Sequence, residues 1–334
     1  MASRIRYRTI ALFVIAAATS VGALACSSGE QGSQSGTGGG SSSSTSSSPS
    51  GDGGATSGSV STSNSTSGSG STSTTSSSGG SASACDSAIF CDDFEAQKAA
   101  APPSGKWSTH PSTGAAVVVD TTRAFSGKQS VKLSTSAGDG YKSAMMAFKD
   151  AAALPTSDNH VYGRMMFYLE SAPTTSVHWT FIDGSGPVAG KDYHAIYRYG
   201  GQLPVTSGAM TGSQLMANYD TPDTYSTPPV GPATDCWNHS DKKVVPVAKW
   251  SCAEWEFVGA TNEMRFWLDG VELTDLHLKG TGQGCVNQPK DYTWAAPSFS
   301  QIDLGWESYQ KDDARAIWVD DVVISKQPIG CPSK

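Results

Sequence analysis

From Cys85 onward the sequence keeps breaking into runs of four to nine apolar or alternating residues, each closed by Gly, Pro, Ser or Asp. A period of two over such lengths suits strands and leaves no stripe for a helix to bury. The runs are Ala115–Val119, Ser130–Leu133, Ala144–Phe148, Val161–Leu169, Val177–Ile182, Tyr193–Tyr199, Leu215–Tyr219, Trp255–Val258, Met264–Leu268, Ile302–Trp306 and Ile317–Ile324. The best helical candidate, around Phe94–Ala101, is short. Asp269-Gly270, set between Phe266-Trp267-Leu268 and Val271-Glu272-Leu273, predicts a two-residue hairpin. The pattern therefore predicts an all-β sandwich or barrel. The Pro-rich stretch Thr221–Val247 is expected to be a long loop lying across one face.

Only part of the 334-residue chain can take part. Residues 27–84 hold 26 Ser, 14 Gly and 8 Thr, and so little apolar surface cannot offset chain entropy. This segment is expected to be a disordered tether with an r.m.s. reach of roughly 40 Å. Ahead of it, Arg4, Arg6 and Arg8 precede the apolar stretch Thr9 to Ala25, the layout of a signal peptide over residues 1–25. Gly22-Ala23-Leu24-Ala25-Cys26 resembles the cleavage box of bacterial lipoproteins, with Ala23 where Leu is usual, and predicts a lipid anchor on Cys26. Ordinary cleavage after Ala25 is the alternative. The working domain, residues 85–334, is then expected outside the cytoplasm, tethered to the outer membrane or cell surface, as a monomer.

Setting Cys26 aside leaves six cysteines, enough for three disulfides in an oxidising compartment. Proximity along the chain predicts Cys85–Cys91 and Cys236–Cys252, which leaves Cys285–Cys331. A zinc site at Cys236, His239 and Cys252 is the weaker alternative, its spacing matching no common pattern. The body carries 20 Lys+Arg against 28 Asp+Glu, an acidic balance that argues against nucleic-acid binding. No apolar run follows the leader, which excludes a polytopic membrane protein.

The sequence has no G-x-S-x-G elbow, H-E-x-x-H pair or Walker loop. Glu254 and Glu256 share a strand face at roughly 6.6 Å, a weak candidate for glycoside hydrolysis. Asp303 and Glu307 stand roughly 13 Å apart, too far for a retaining pair. Alternation gathers other polar side chains. Tyr162, Arg164, Met166, Tyr168 and Glu170 share one face, as do His178, Thr180 and Ile182. So do His194, Ile196 and Arg198, and Asp303, Gly305, Glu307 and Tyr309. If these faces line one sheet, Arg, His, Gln and Tyr converge in a groove. Such a set suits β-elimination in a polyuronate. Arg or Gln neutralises the carboxylate beside C5, a His or Tyr takes the C5 proton, and another group donates to the leaving oxygen. A non-catalytic module stacking sugars on Trp179, Tyr197, Tyr199 and Trp306 is the competing expectation.

The segments Cys91-Asp92-Asp93-Phe94-Glu95, His178-Trp179-Thr180-Phe181-Ile182-Asp183, Arg198-Tyr199-Gly200-Gly201-Gln202, Trp267-Leu268-Asp269-Gly270 and Trp318-Val319-Asp320-Asp321-Val322 occur in an order that resembles the core domain of the cellulose-induced protein family. Lys249-Trp250-Ser251-Cys252-Ala253-Glu254-Trp255 belongs to the same resemblance, which covers essentially Cys85–Cys331. It implies a concanavalin A-like jelly roll, similar to glucuronan and alginate lyases, acting on polysaccharide. It implies Arg198 and Gln202 as the groove Arg and Gln, Tyr309 as the late-strand Tyr, and His178 as the central-strand His. Asp220 or Asp223 matches the family's Asp. Ile196 stands where the family has a His, and His194 lies one alternation earlier. A structural calcium ion clamping the first and last strands is also implied, with Glu95, the Ser126 carbonyl, Gln129 and Asp321 as ligands and Asp93 or Asp320 as alternatives.

Overall fold

The structure is a computed structural model and describes residues 84–207, 210–221, 234–286, 288–289 and 291–332. The expected leader, Cys26, Asp223 and all but the last residue of the expected tether lie outside them. In chain order the strands are β1 (Phe90–Asp92), β2 (Trp107–Thr109), β3 (Ala116–Asp120), β4 (Ser130–Thr135), β5 (Lys142–Phe148), β6 (His160–Leu169), β7 (Trp179–Pro187), β8 (His194–Ser207) and β9 (Met210–Asp220). They continue as β10 (Asp235–Val244), β11 (Trp250–Val258), β12 (Glu263–Leu268), β13 (Val271–Glu272), β14 (Leu278–Lys279), β15 (Gly284–Val286), β16 (Gln301–Ser308) and β17 (Arg315–Ser325).

One sheet has the order β13-β12-β11-β6-β17-β4-β3, with β1 beside β17 and β14 beside β12. The second has the order β15-β10-β9-β8-β7-β16-β5-β2. Their inner faces meet in an aromatic core: Phe167 of β6 lies 5.4 Å from Phe181 of β7, and Tyr199 of β8 lies 4.8 Å from Phe266 of β12. The fold is an all-β jelly-roll sandwich, as the strand pattern and the resemblance predict. Alternation explains the layering. On β6, Val161, Met165, Phe167 and Leu169 enter the core, and Gly163 makes room there for the Trp255 ring. Asp269 and Gly270 both have positive φ, 50° and 77°, and close the β12–β13 hairpin as predicted.

Several expectations are corrected. No helix forms over Phe94–Ala101; that segment is built of turns, with positive φ at Phe94 and Ala100. The expected loop Thr221–Val247 contains strand β10, paired with β9. The disulfides are Cys85–Cys91, Cys236–Cys285 and Cys252–Cys331. Chain proximity misleads for Cys236 because β10 and β11 belong to different sheets. Cys236 instead faces Cys285 directly across the β10–β15 pair. Both outer cysteines of the zinc alternative are thereby oxidised, with different partners. Trp179, Tyr197, Tyr199 and Trp306 are buried in the core, with Trp179 and Trp306 stacked at 4.8 Å, so none can serve as a sugar platform.

Candidate active site

The polar faces do not all reach one surface. Those of β6 and β11 point outward from the first sheet, on the other side of the sandwich from Arg198. There Arg164 donates to the Gly330 carbonyl (3.1 Å), while Glu256 pairs with His160 (2.8 Å) and Arg265 (3.2 Å). Glu254 and Glu256 line a cleft of about 530 Å³ beneath residues 328–332.

The second sheet carries the richer chemistry on its outer face. Arg198 stands opposite Asn218 on one side and Asp183 on the other, and Asp183 in turn stands opposite Asp303. Beyond the Leu304–Ile182 pair and a shift in register, Thr180 faces Glu307. Strict alternation would send Asp183 inward with Phe181. A bulge between Thr180 and Ile182 turns Ile182 into the core and swings Asp183 outward beside Arg198. Ile182 therefore leaves the face it was expected to share with His178 and Thr180. The sequence offers only one hint of this, an Asp closing the apolar run Trp179-Thr180-Phe181-Ile182.

Arg198 is only 7 % exposed and ion-pairs with Asp220. Burial opposes its charge, but Tyr309, Asp220, Glu307 and Asp183 around it outweigh burial and keep the guanidinium firmly protonated. Its Cζ lies 5.6 Å from the Tyr309 ring centroid. Tyr309 donates to Glu307 Oε2 (2.7 Å), and Tyr141 donates to the other oxygen of the same carboxylate. Burial and the Glu307 charge hold the Tyr309 phenol protonated, against the pull of Arg198. His178 lies 4.9 Å, ring to ring, from Tyr309, and its Nε2 is buried without a hydrogen-bond partner. Burial first, then the Arg198 charge, lowers the imidazole to about 4, so the ring is neutral at pH 7 and free to accept a proton.

Arg198, Asp220, His178 and Tyr309 thus form one cluster. Gln202 sits where β8 and β9 slip register; its carbonyl accepts the Val177 N–H (3.2 Å), and no side-chain hydrogen bond joins it to Arg198. His194 is exposed farther along β8, in a cleft of about 280 Å³ shared with Lys149, Ser185 and Gln301. Asp183 and Tyr141 are the groups that sequence reasoning left out of this cluster; Glu307 was expected on the Tyr309 face but given no role.

The four residues expected to hold calcium make two separate contacts around the Ser126–Gln129 segment. Glu95 Oε1 accepts the backbone N–H of Lys128 (2.8 Å) and Gln129 (3.0 Å), and Ser126 Oγ donates to Asp321 Oδ1 (2.7 Å). A Cβ on Gly127 would lie 2.4 Å from the Glu95 carboxyl, so the loop needs glycine to let that carboxylate in. The Glu95 and Asp321 carboxylates, with the Ser126 carbonyl and the Gln129 amide oxygen, are hard oxygen donors of the kind a calcium ion takes.

The Cip1-like core domain family, described as polysaccharide-lyase-like, matches residues 93–327. No curated protein matches the sequence. Among solved structures, the chain is similar to the cellulose-induced protein Cip1 at 22 % identity and a TM-score of 0.48, covering 72 % of this chain and 99 % of that one. It is also similar to an endo-β-1,4-glucuronan lyase from the fungus Trichoderma reesei, at 13 % identity and a TM-score of 0.46, covering 72 % and 96 %. Alginate lyase vAL-1 from a Chlorella virus follows at 12 % identity and a TM-score of 0.39, covering 67 % and 94 %. With the family model spanning well over half of its length, the chain belongs to the Cip1-like core domain family.

Proposed function

We propose that the outer face of the second sheet binds a uronic-acid-containing polysaccharide and cleaves it by β-elimination. The observation that carries this reading is a neutral His178 and a protonated Tyr309 packed beside a permanently charged Arg198. Arg198 neutralises the uronate carboxylate, so that charge released at C5 spreads onto it. His178 takes the C5 proton, and Tyr309 turns its hydroxyl from Glu307 to protonate the departing oxygen; the proton gained by His178 then restores the neighbouring phenol, so that both groups return to their starting states. The test incubates the protein, with calcium present, with glucuronan, alginate and pectin, and follows the ultraviolet absorbance of unsaturated ends. A rise that Arg198→Lys reduces at least a hundredfold supports the reading. Binding without any absorbance gain returns the protein to a non-catalytic carbohydrate-binding role.

The same proposal includes a calcium ion held by Glu95, Ser126, Gln129 and Asp321, which ties the start of the domain to its last strand and does no chemistry. It also includes export and a lipid on Cys26, the Ser/Gly segment serving as tether for a monomeric domain at the cell surface. Labelled palmitate incorporated by the wild type and lost in Cys26→Ser tests the anchor.

A further inference from the structure

The floor of the second sheet holds more negative charge than its single arginine can balance. Asp220 is committed to Arg198, and both oxygens of Glu307 accept tyrosine hydroxyls. Asp183 and Asp303 remain, directly opposite each other on β7 and β16, only 6 % and 9 % exposed. Two carboxylates buried together at directly opposed positions of neighbouring strands repel each other when both are ionised, and holding one proton on the pair relieves that repulsion. Gln301 Nε2 donates to Asp303 Oδ2 (2.7 Å), which steers the proton toward Asp183. Asp183 Oδ1 is buried with no partner, on the residue directly opposite Arg198.

We propose that Asp183 and Asp303 share one proton at neutral pH, and that this acidic pair forms with Arg198 a two-sided clamp for the substrate carboxylate. The ligand in this statement rests on the polyuronate reading above; the shared proton does not. Arg198 supplies charge from β8, and the proton on the pair, carried by Asp183 and turned from Asp303 to the ligand, supplies a hydrogen bond from β7. The charged and titratable groups that face the pair are Arg198, Glu307 and, beside Asp303, His110. Burial and the like charges of Asp303 and Glu307 raise Asp183 well above the carboxylate range, against the pull of Arg198. A fully ionised pair would leave three carboxylates beside Asp220–Arg198 and would repel a uronate; a half-protonated one accepts it. Uronate binding is then linked to proton retention. Once pH exceeds the upper ionisation of the pair, affinity falls about tenfold per pH unit, and binding takes up a proton.

Two measurements test this on the full chain, with chelator present so that no divalent cation neutralises the pair. Infrared spectra of protein carrying labelled aspartate are expected to show a protonated carboxyl band at pH 7 that is lost in both Asp183→Asn and Asp303→Asn. In wild type the band should titrate away at higher pH. Calorimetry of saturated glucuronate and mannuronate trimers, in two buffers of different ionisation heat, is expected to show about one proton taken up above the upper ionisation and none in Asp303→Asn. Absence of the band at pH 7 overturns the shared proton whatever the ligand is. A band present with uronate binding that takes up no proton overturns the clamp. A band present with neither trimer bound overturns the polyuronate reading and the clamp with it, and leaves the shared proton standing.

Discussion

Replacing Asp303 with Asn should change how the stability of the protein depends on pH, in a direction and size that the structure sets. The side chain is 9 % exposed, and burial, with Glu307 nearby, pushes its carboxyl up from 3.8 to about 6, against the hydrogen bond from Gln301. Between those values the unfolded chain has released the proton and the folded chain still holds it. The folded state binds more protons there, so stability falls as pH rises. The gap between 3.8 and about 6, at about 1.36 kcal/mol per pH unit, is on the order of 3 kcal/mol. That contribution is fully present below about pH 4 and gone above about pH 6, and the raised Asp183 extends the slope upward. An amide keeps the shape and cannot ionise. Urea unfolding of wild type and Asp303→Asn at about pH 4, 5, 6 and 7 should show the variant gaining on wild type by about 3 kcal/mol across the series. Parallel curves would mean that Asp303 ionises at its ordinary value and that the charge argument for the groove floor is wrong.

Trp306→Ala removes a fully buried ring stacked at 4.8 Å on Trp179 and should cost about 3–5 kcal/mol in the same urea assay. Sugar binding lost with stability unchanged would return the platform role to this residue. Gly163→Ala places a methyl 2.0 Å from the Trp255 ring, and overpacking of this kind should cost about 1–3 kcal/mol; an unchanged unfolding midpoint would refute the contact. Calcium in excess of its dissociation constant should raise the thermal midpoint, by about 2.7 kcal/mol of added stability at a hundredfold excess. Glu95→Gln, which weakens a carboxylate among the gathered oxygen donors, should blunt that rise. An equal rise in the variant would place the ion elsewhere.

The period-two runs were enough to establish strands with two alternating faces and an all-β sandwich or barrel, because alternation follows from the backbone pleat whatever the neighbours are. The Asp269-Gly270 hairpin was legible for the same local reason: its two positive φ values demand such residues. The order of short motifs was enough to point to the family. Pairing between strands far apart in sequence is decided by the packed core, and only tertiary structure settled it. It sent Arg164 and Arg198, on faces that look alike in sequence, to opposite sides of the sandwich, and it separated Cys236 from Cys252. It also buried Trp179, Tyr197, Tyr199 and Trp306, which alternation alone cannot assign to core or solvent on an unplaced strand. The bulge after Thr180 exists only in the fit of β7 against β8, yet it turns Asp183 from a core-facing position into a neighbour of Arg198. A one-residue slip reverses every side chain beyond it, so the groove floor could not be read until the strands were paired.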